Sequence, residues 1–155
     1  MKEIEDAVSD FKSRDTSKDM YGYNDCYTFI RQFEHNLRGF NLLPKLEYTD
    51  NKSFVHAIRD IGLEGLATNA NFQIITNGRS RTGDVGVMYT RTGDVTTMIN
   101  NNGIWITSAG TLGIVSLRKV RIKETQLTLL CRAKGITNDI LLQRVKDTDT
   151  LYNNI

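Results

Sequence analysis

The hydrophobic period of this chain changes once, and the change limits what it can fold into. Up to about Thr68 the apolar residues recur at helical spacing, and beyond it they alternate with a period of two. Ile4, Ala7, Val8 and Phe11 share one face of a first helix. Ser13 to Tyr23 is polar and irregular, a surface loop. Cys26, Phe29, Ile30, Phe33 and Leu37 then form one apolar stripe along a second helix. Asn24 or Asp25 can cap that helix and Gly39 can end it. Phe54, Ala57, Ile58 and Ile61 give a third helix from about Ser53 to Ile61, with Asn51 or Ser53 as cap and Gly62 as stop.

Past the switch, Phe72 to Thr76, Asp84 to Thr90, Val95 to Asn100 and Ile104 to Ser108 read as strands. Asn102-Gly103 is the strongest hairpin signal, because both central positions of a type I′ turn require positive φ. Leu112 to Ile122 is the longest strand expected, entered by a Ser-Ala-Gly-Thr turn. Arg81-Thr82-Gly83-Asp84-Val85 recurs as Arg91-Thr92-Gly93-Asp94-Val95, which marks two similar turns entering adjacent strands. The tail from Glu124 to Ile155 reads as two short helices broken at Gly135, ending in a polar stretch that is frayed or shaped to dock. The expected architecture is therefore α+β: an N-terminal domain of residues 1–122, with helices packed on an antiparallel sheet of four to five strands, and a C-terminal extension, 123–155.

At 155 residues, 39% hydrophobic and 25% charged, the chain suits one domain and excludes disorder, collagen and a heptad rod. No apolar run reaches the roughly 20 residues of a membrane span, and the first residues lack the uncharged core of a signal peptide, so synthesis in a reducing cytosol is expected. A net charge of +2 gives no basic footprint for specific nucleic-acid binding. The one local excess, Arg118, Lys119, Arg121 and Lys123, reads as the solvated face of a strand. Cys26 and Cys131 stand too far apart in sequence for metal-ligand spacing, and a reducing compartment disfavours a disulfide. No glycine pattern forms a phosphate loop, so no cofactor and no metal are expected.

Cys26 is the best candidate for chemistry. It opens a helix, where the positive end of the dipole favours a thiolate. The local sequence alone favours the plainer reading, a small core residue starting the apolar stripe. A thiolate nucleophile needs a base, and the chain has two histidines. His35 lies nine residues further along the same helix, roughly 13 Å away and on the opposite side. His56 lies off the apolar stripe of the third helix. Both read as surface histidines. Cys131 reads as core filler, and Asp84 and Asp94 as turn residues.

The order of the pieces resembles a known family. Tyr23-Asn24-Asp25-Cys26-Tyr27-Thr28-Phe29-Ile30 resembles the Asp-Cys-x-x-Phe helix start of NlpC-type cell-wall peptidases, and Arg81 to Met88 resembles their Gly-Asp-Val strand. Thr96 to Ile106, with its Asn-Gly hairpin, resembles the next two strands. The likeness covers residues 5–122 and is closest to small phage-encoded NlpC-like proteins of undefined function. It implies a papain-like fold with Cys26 at the nucleophile position. In that family the base is a histidine on the strand after Gly-Asp-Val, where this chain has Thr96 and Thr97, and the orienter follows the hairpin, where it has Thr107. The chemistry is therefore expected to be lost. The resemblance then implies a non-catalytic structural protein of a bacteriophage virion, placed in the tail, made in the host cytoplasm and contacting other tail proteins in multiple copies. Two alternatives stand beside it. One is an active cysteine peptidase or amidase degrading host peptidoglycan, with Asp25, Thr97 or His56 assisting Cys26. The other is a cell-wall binding module in which Tyr27, Tyr89 and Trp105 stack on the ligand.

Overall fold

A computed structural model describes residues 1–15, 20–76, 79–90, 92–116 and 127–134. The described part is α+β, with four helices set against one six-stranded antiparallel sheet. No described helix is long and apolar enough to cross a membrane.

Helix α1, Lys2–Lys12, buries Ile4, Ala7 and Phe11. Helix α2, Cys26–Arg38, is capped by Asp25, whose side chain accepts from the Thr28 amide, and ends at Gly39 with φ 81°. Helix α3, Asn51–Ile61, is capped one residue before Asn51 and three before Ser53, the two expected caps: Asp50 and Ser53 form a reciprocal capping box, so Ser53 is the partner of the cap and Asn51 the first helical residue. The positive φ of Gly62 turns the chain into a fourth helix, α4, Leu63–Asn69, which the sequence reading passed over. Seven residues are too few for a helical period to declare itself.

The strands are β1 Phe72–Ile74, β2 Val85–Tyr89, β3 Val95–Asn101, β4 Ile104–Ser108, β5 Ile114–Ser116 and β6 Leu129–Ala133, in the spatial order β1-β6-β2-β3-β4-β5. The β3–β4 hairpin turns at Asn102 and Gly103, with φ 54° and 84°, as the Asn-Gly pair predicts. The turn after β4 is a 3-10 turn, Gly110–Leu112, so the strand expected from Leu112 begins at Ile114; it is described as far as Ser116, and residues 117–126, with the basic cluster from Arg118 to Lys123, lie outside the described residues.

The tail expectation needs correcting. Residues 129–133 are not helical and not an appendage, because β6 pairs with β1 on one side and β2 on the other. The remainder of the tail, from residue 135, lies outside the described residues. The sheet therefore has six strands where four to five were expected, and the unit reaches past residue 122.

Alternation along the strands separates two apolar clusters. Phe72, Val85, Val87, Val95, Ile99, Ile106, Leu129 and Cys131 join the helices in the main core. Met98, Trp105 and Leu130 form a smaller cluster on the far face of the sheet. Gly86 is needed there: a Cβ on it would come within 3.0 Å of the Trp105 ring.

Charges also hold the helices to the sheet. Glu34 is fully buried on α2; its carboxylate accepts the Leu42 and Leu43 amides, both at 3.0 Å, and pairs with Arg38 at 2.7 Å. Arg38 in turn donates to the Ala70 and Asn71 carbonyls and lies over the Phe72 ring. Burial pushes the Glu34 carboxyl up, against those amides and the Arg38 charge. A second pair ties β6 to the entry of β2: Arg132 grips the buried Asp84 with two bonds of 2.7 and 2.8 Å.

Candidate functional site

Asp25 both caps α2 and sits next to the candidate nucleophile. One carboxylate oxygen accepts the Thr28 amide at 2.8 Å; the other accepts the Gly22 amide and, at 2.8 Å, the Tyr48 hydroxyl. These bonds fix the start of the helix, and with it Cys26.

Cys26 as a whole residue is partly exposed, but its thiol is withdrawn into the protein. Burial is the largest effect on that thiol and pushes its pKa up. The Thr97 hydroxyl and backbone pull the other way as hydrogen-bonding neighbours, and the Asp25 carboxylate adds to the rise. The Thr97 hydroxyl is the larger of the opposing groups, although it forms no bond of good geometry to any described residue, and burial prevails over it. Dipole activation of the thiol is thus outweighed. Cys131 is withdrawn as well, in the main core, and burial pushes it up to about 12.

Thr97 belongs to the helix-side face of β3, between Val95 and Ile99. It is 3% exposed and borders a small apolar cavity of about 30 Å³. Its neighbour Thr96, also suggested by sequence, is half-buried and by alternation points to the other face. The structure thus brings together Cys26 and Thr97, and excludes Thr96.

Thr107 is not on the same face. Ile106 belongs to the helix-side core and Trp105 to the far cluster, so alternation turns Thr107 away from Cys26. Its hydroxyl donates to the Thr97 carbonyl at 2.7 Å, a bond to the backbone of β3. The residue that β4 presents to the helices is Ser108, whose hydroxyl donates to the carbonyl of Asn24. The Asn24 amide is buried with neither its oxygen nor its nitrogen partnered among the described residues. Ser108 was missed because a one-residue shift in register reverses the face of every side chain.

No imidazole approaches this place. His35 lines a cleft between α2 and the segment 41–48, and Cys26 does not. His56 is exposed on α3 beside the turn Thr92-Gly93-Asp94. The aromatic residues are dispersed as well. Tyr27 is in the main core with its hydroxyl on the Pro44 carbonyl at 2.6 Å. Tyr89 is half-buried beneath Arg59, and Trp105 is buried in the far cluster. The three do not share a groove. Among the described residues, no group of three or more His, Cys, Asp or Glu is placed to hold a metal ion.

No protein-family model matches the chain, and no curated protein matches it.

Proposed function

We propose that the chain is a non-catalytic structural component of a bacteriophage virion, a tail protein on a papain-like, NlpC-type scaffold. The observation that supports the non-catalytic part is the pairing of Cys26 with Thr97. A helix-initial thiol faces a central strand, as a nucleophile would, but the strand offers a threonine where a general base is required. A threonine hydroxyl does not take a proton near neutral pH, and general-base assistance contributes about 10²–10⁴-fold where it is present. The raised pKa of the buried thiol acts in the same direction. The virion placement rests on the resemblance alone.

Two measurements test the two halves. Mass spectrometry of purified particles is expected to find the chain at fixed copy number; particles without it would end the virion reading. Alkylation of Cys26 against pH is expected to give a midpoint above the free-thiol value of about 8.5, with no cleavage of muropeptides. A midpoint well below that value, with cleavage lost in Cys26→Ala, would establish the peptidase reading instead.

A further inference from the structure

The cleft that His35 lines carries an unbalanced set of charges. It opens between α2 and the segment 41–48 and has a volume of about 250 Å³. Its lining includes Arg14, Arg31 and Lys45 and no acidic residue. Arg14 is already paired with Asp10 at 2.8 Å, so it contributes little net charge. Lys45 is exposed at the rim and makes no ion pair within the described residues.

Arg31 is the unusual member. It is only 9% exposed, yet its one hydrogen bond within the described residues runs from Nε to the Leu43 carbonyl at 3.2 Å. Its Nη2 is buried with no partner. The nearby Glu34 does not satisfy it, because that carboxylate is engaged by Arg38 and by two backbone amides. Leaving a buried charged donor unmatched costs more than an ordinary missing hydrogen bond. His35 adds a second unmatched atom to the same wall, with Nδ1 buried and unpartnered.

We propose that this cleft binds the oxyanion of a small molecule, a carboxylate or a phosphate group, with the Arg31 guanidinium as anchor and Lys45 as rim charge. A guanidinium fork matches either group in two parallel bonds, and Arg31 lines the cleft with an end nitrogen still to be satisfied. The volume lies below the roughly 300–1,000 Å³ of pockets for drug-sized ligands, so the occupant is small. Gln32 and Thr28, on the same face of α2, supply neutral hydrogen-bonding groups beside the anchor. This site is separate from Cys26 and does not depend on the virion reading.

The test is titration of the purified full-length chain with inorganic phosphate and, separately, with acetate, each against chloride at matched ionic strength. Backbone NMR reports the site. Saturable shifts are expected, confined to residues 28–35 and 41–48, with a dissociation constant below about 1 mM for at least one anion. Phosphate alone would assign a phosphate ester; acetate alone, or both, would assign a carboxylate or a general oxyanion site. Arg31→Lys keeps the charge and loses the fork, and should weaken binding by about tenfold. Lys45→Glu, at an exposed position, should weaken it without affecting folding. No saturation of either anion beyond the chloride control by about 10 mM, or undiminished binding in Lys45→Glu and Arg31→Lys, would overturn the proposal.

Discussion

Thr97→Val separates an idle threonine from a working one. Thr97 is 3% exposed and its hydroxyl has no partner of good geometry among the described residues. The adjoining cavity, about 30 Å³, is large enough for a water molecule, but a trapped water needs two to four polar partners. The lining offers mostly hydrocarbon, and the Tyr27 hydroxyl there is already committed to Pro44. Burying an unpaired hydroxyl costs about 1–3 kcal/mol in proteins. Valine has nearly the same shape, is as well suited to a strand, and places a methyl group in the same apolar surroundings. A gain of about 1–2 kcal/mol is therefore expected, which for a domain of this size raises Tm by about 2–4 °C per kcal/mol. In urea the midpoint should rise with m unchanged. A second reading comes from the thiol: the Thr97 hydroxyl holds the Cys26 pKa down, so its removal should move the alkylation midpoint further up. A loss of about 1 kcal/mol or more would refute the reasoning, because it means that the hydroxyl is partnered in the folded protein, and a thiol that becomes more reactive would refute the sign taken for the action of Thr97 on Cys26.

Arg38→Ala leaves Glu34 buried without its countercharge and frees the Ala70 and Asn71 carbonyls; a loss of about 3–5 kcal/mol in chemical denaturation is expected. Gly86→Ala presses a methyl group against the Trp105 ring and Leu127, so about 1–3 kcal/mol should be lost, with a change in tryptophan fluorescence that reports the far face of the sheet. Asp25→Asn keeps a good helix cap but removes a carboxylate that raises the thiol pKa, so the Cys26 alkylation midpoint should fall while stability drops by about 1–2 kcal/mol through the unmatched Gly22 amide. Stability should also decline in alkali: burial raises Cys26, Cys131, Tyr27 and Tyr48, so the unfolded chain sheds these protons first, and Tm should fall from about pH 8.5 upward, for Cys131 until its folded value of about 12 is passed.

The parts of the fold legible in the sequence are those decided locally. A stripe such as Ile4, Ala7 and Phe11, or the positive φ demanded by Asn102-Gly103, is fixed within a few residues, and the structure agrees at both places. Strand β6 is decided elsewhere. Its leucine-rich run fits a buried helix as well as a buried strand, and what selects the strand is the gap between β1 and β2, two elements distant in sequence. The buried polar side of α2 was legible in principle. Tyr27, Arg31, Glu34 and Arg38 recur at i, i+4, i+7 and i+11, a second stripe beside the apolar one, and all but Arg38 are buried. Charged residues on a helix are usually read as its solvent side, and only the fold shows that the loop 41–43 and the end of α4 close over them. At the candidate site, motif order points to Cys26 and to the pair Thr96-Thr97, and only register separates Thr96 from Thr97, as it separates Thr107 from Ser108.

The start of α2 shows why a cysteine at a helix N-terminus is not by itself a nucleophile. The helix end offers roughly half a positive charge to the thiol, and the same end must be capped for the helix to begin cleanly. In this chain the cap is a full negative charge, Asp25, directly before Cys26 and held by three donors. Burial against β3 removes the solvent that would stabilise a thiolate and is the largest effect on the sulfur, and the charge of the cap adds to it by opposing the field of the helix end. A working site would restore the balance with a cationic imidazole across from the sulfur, so that thiolate and imidazolium stabilise each other. With Thr97 in that place, its hydrogen-bonding groups oppose burial and Asp25 without outweighing them, and the seating of α2 on the sheet that withdraws the sulfur is also what keeps it protonated.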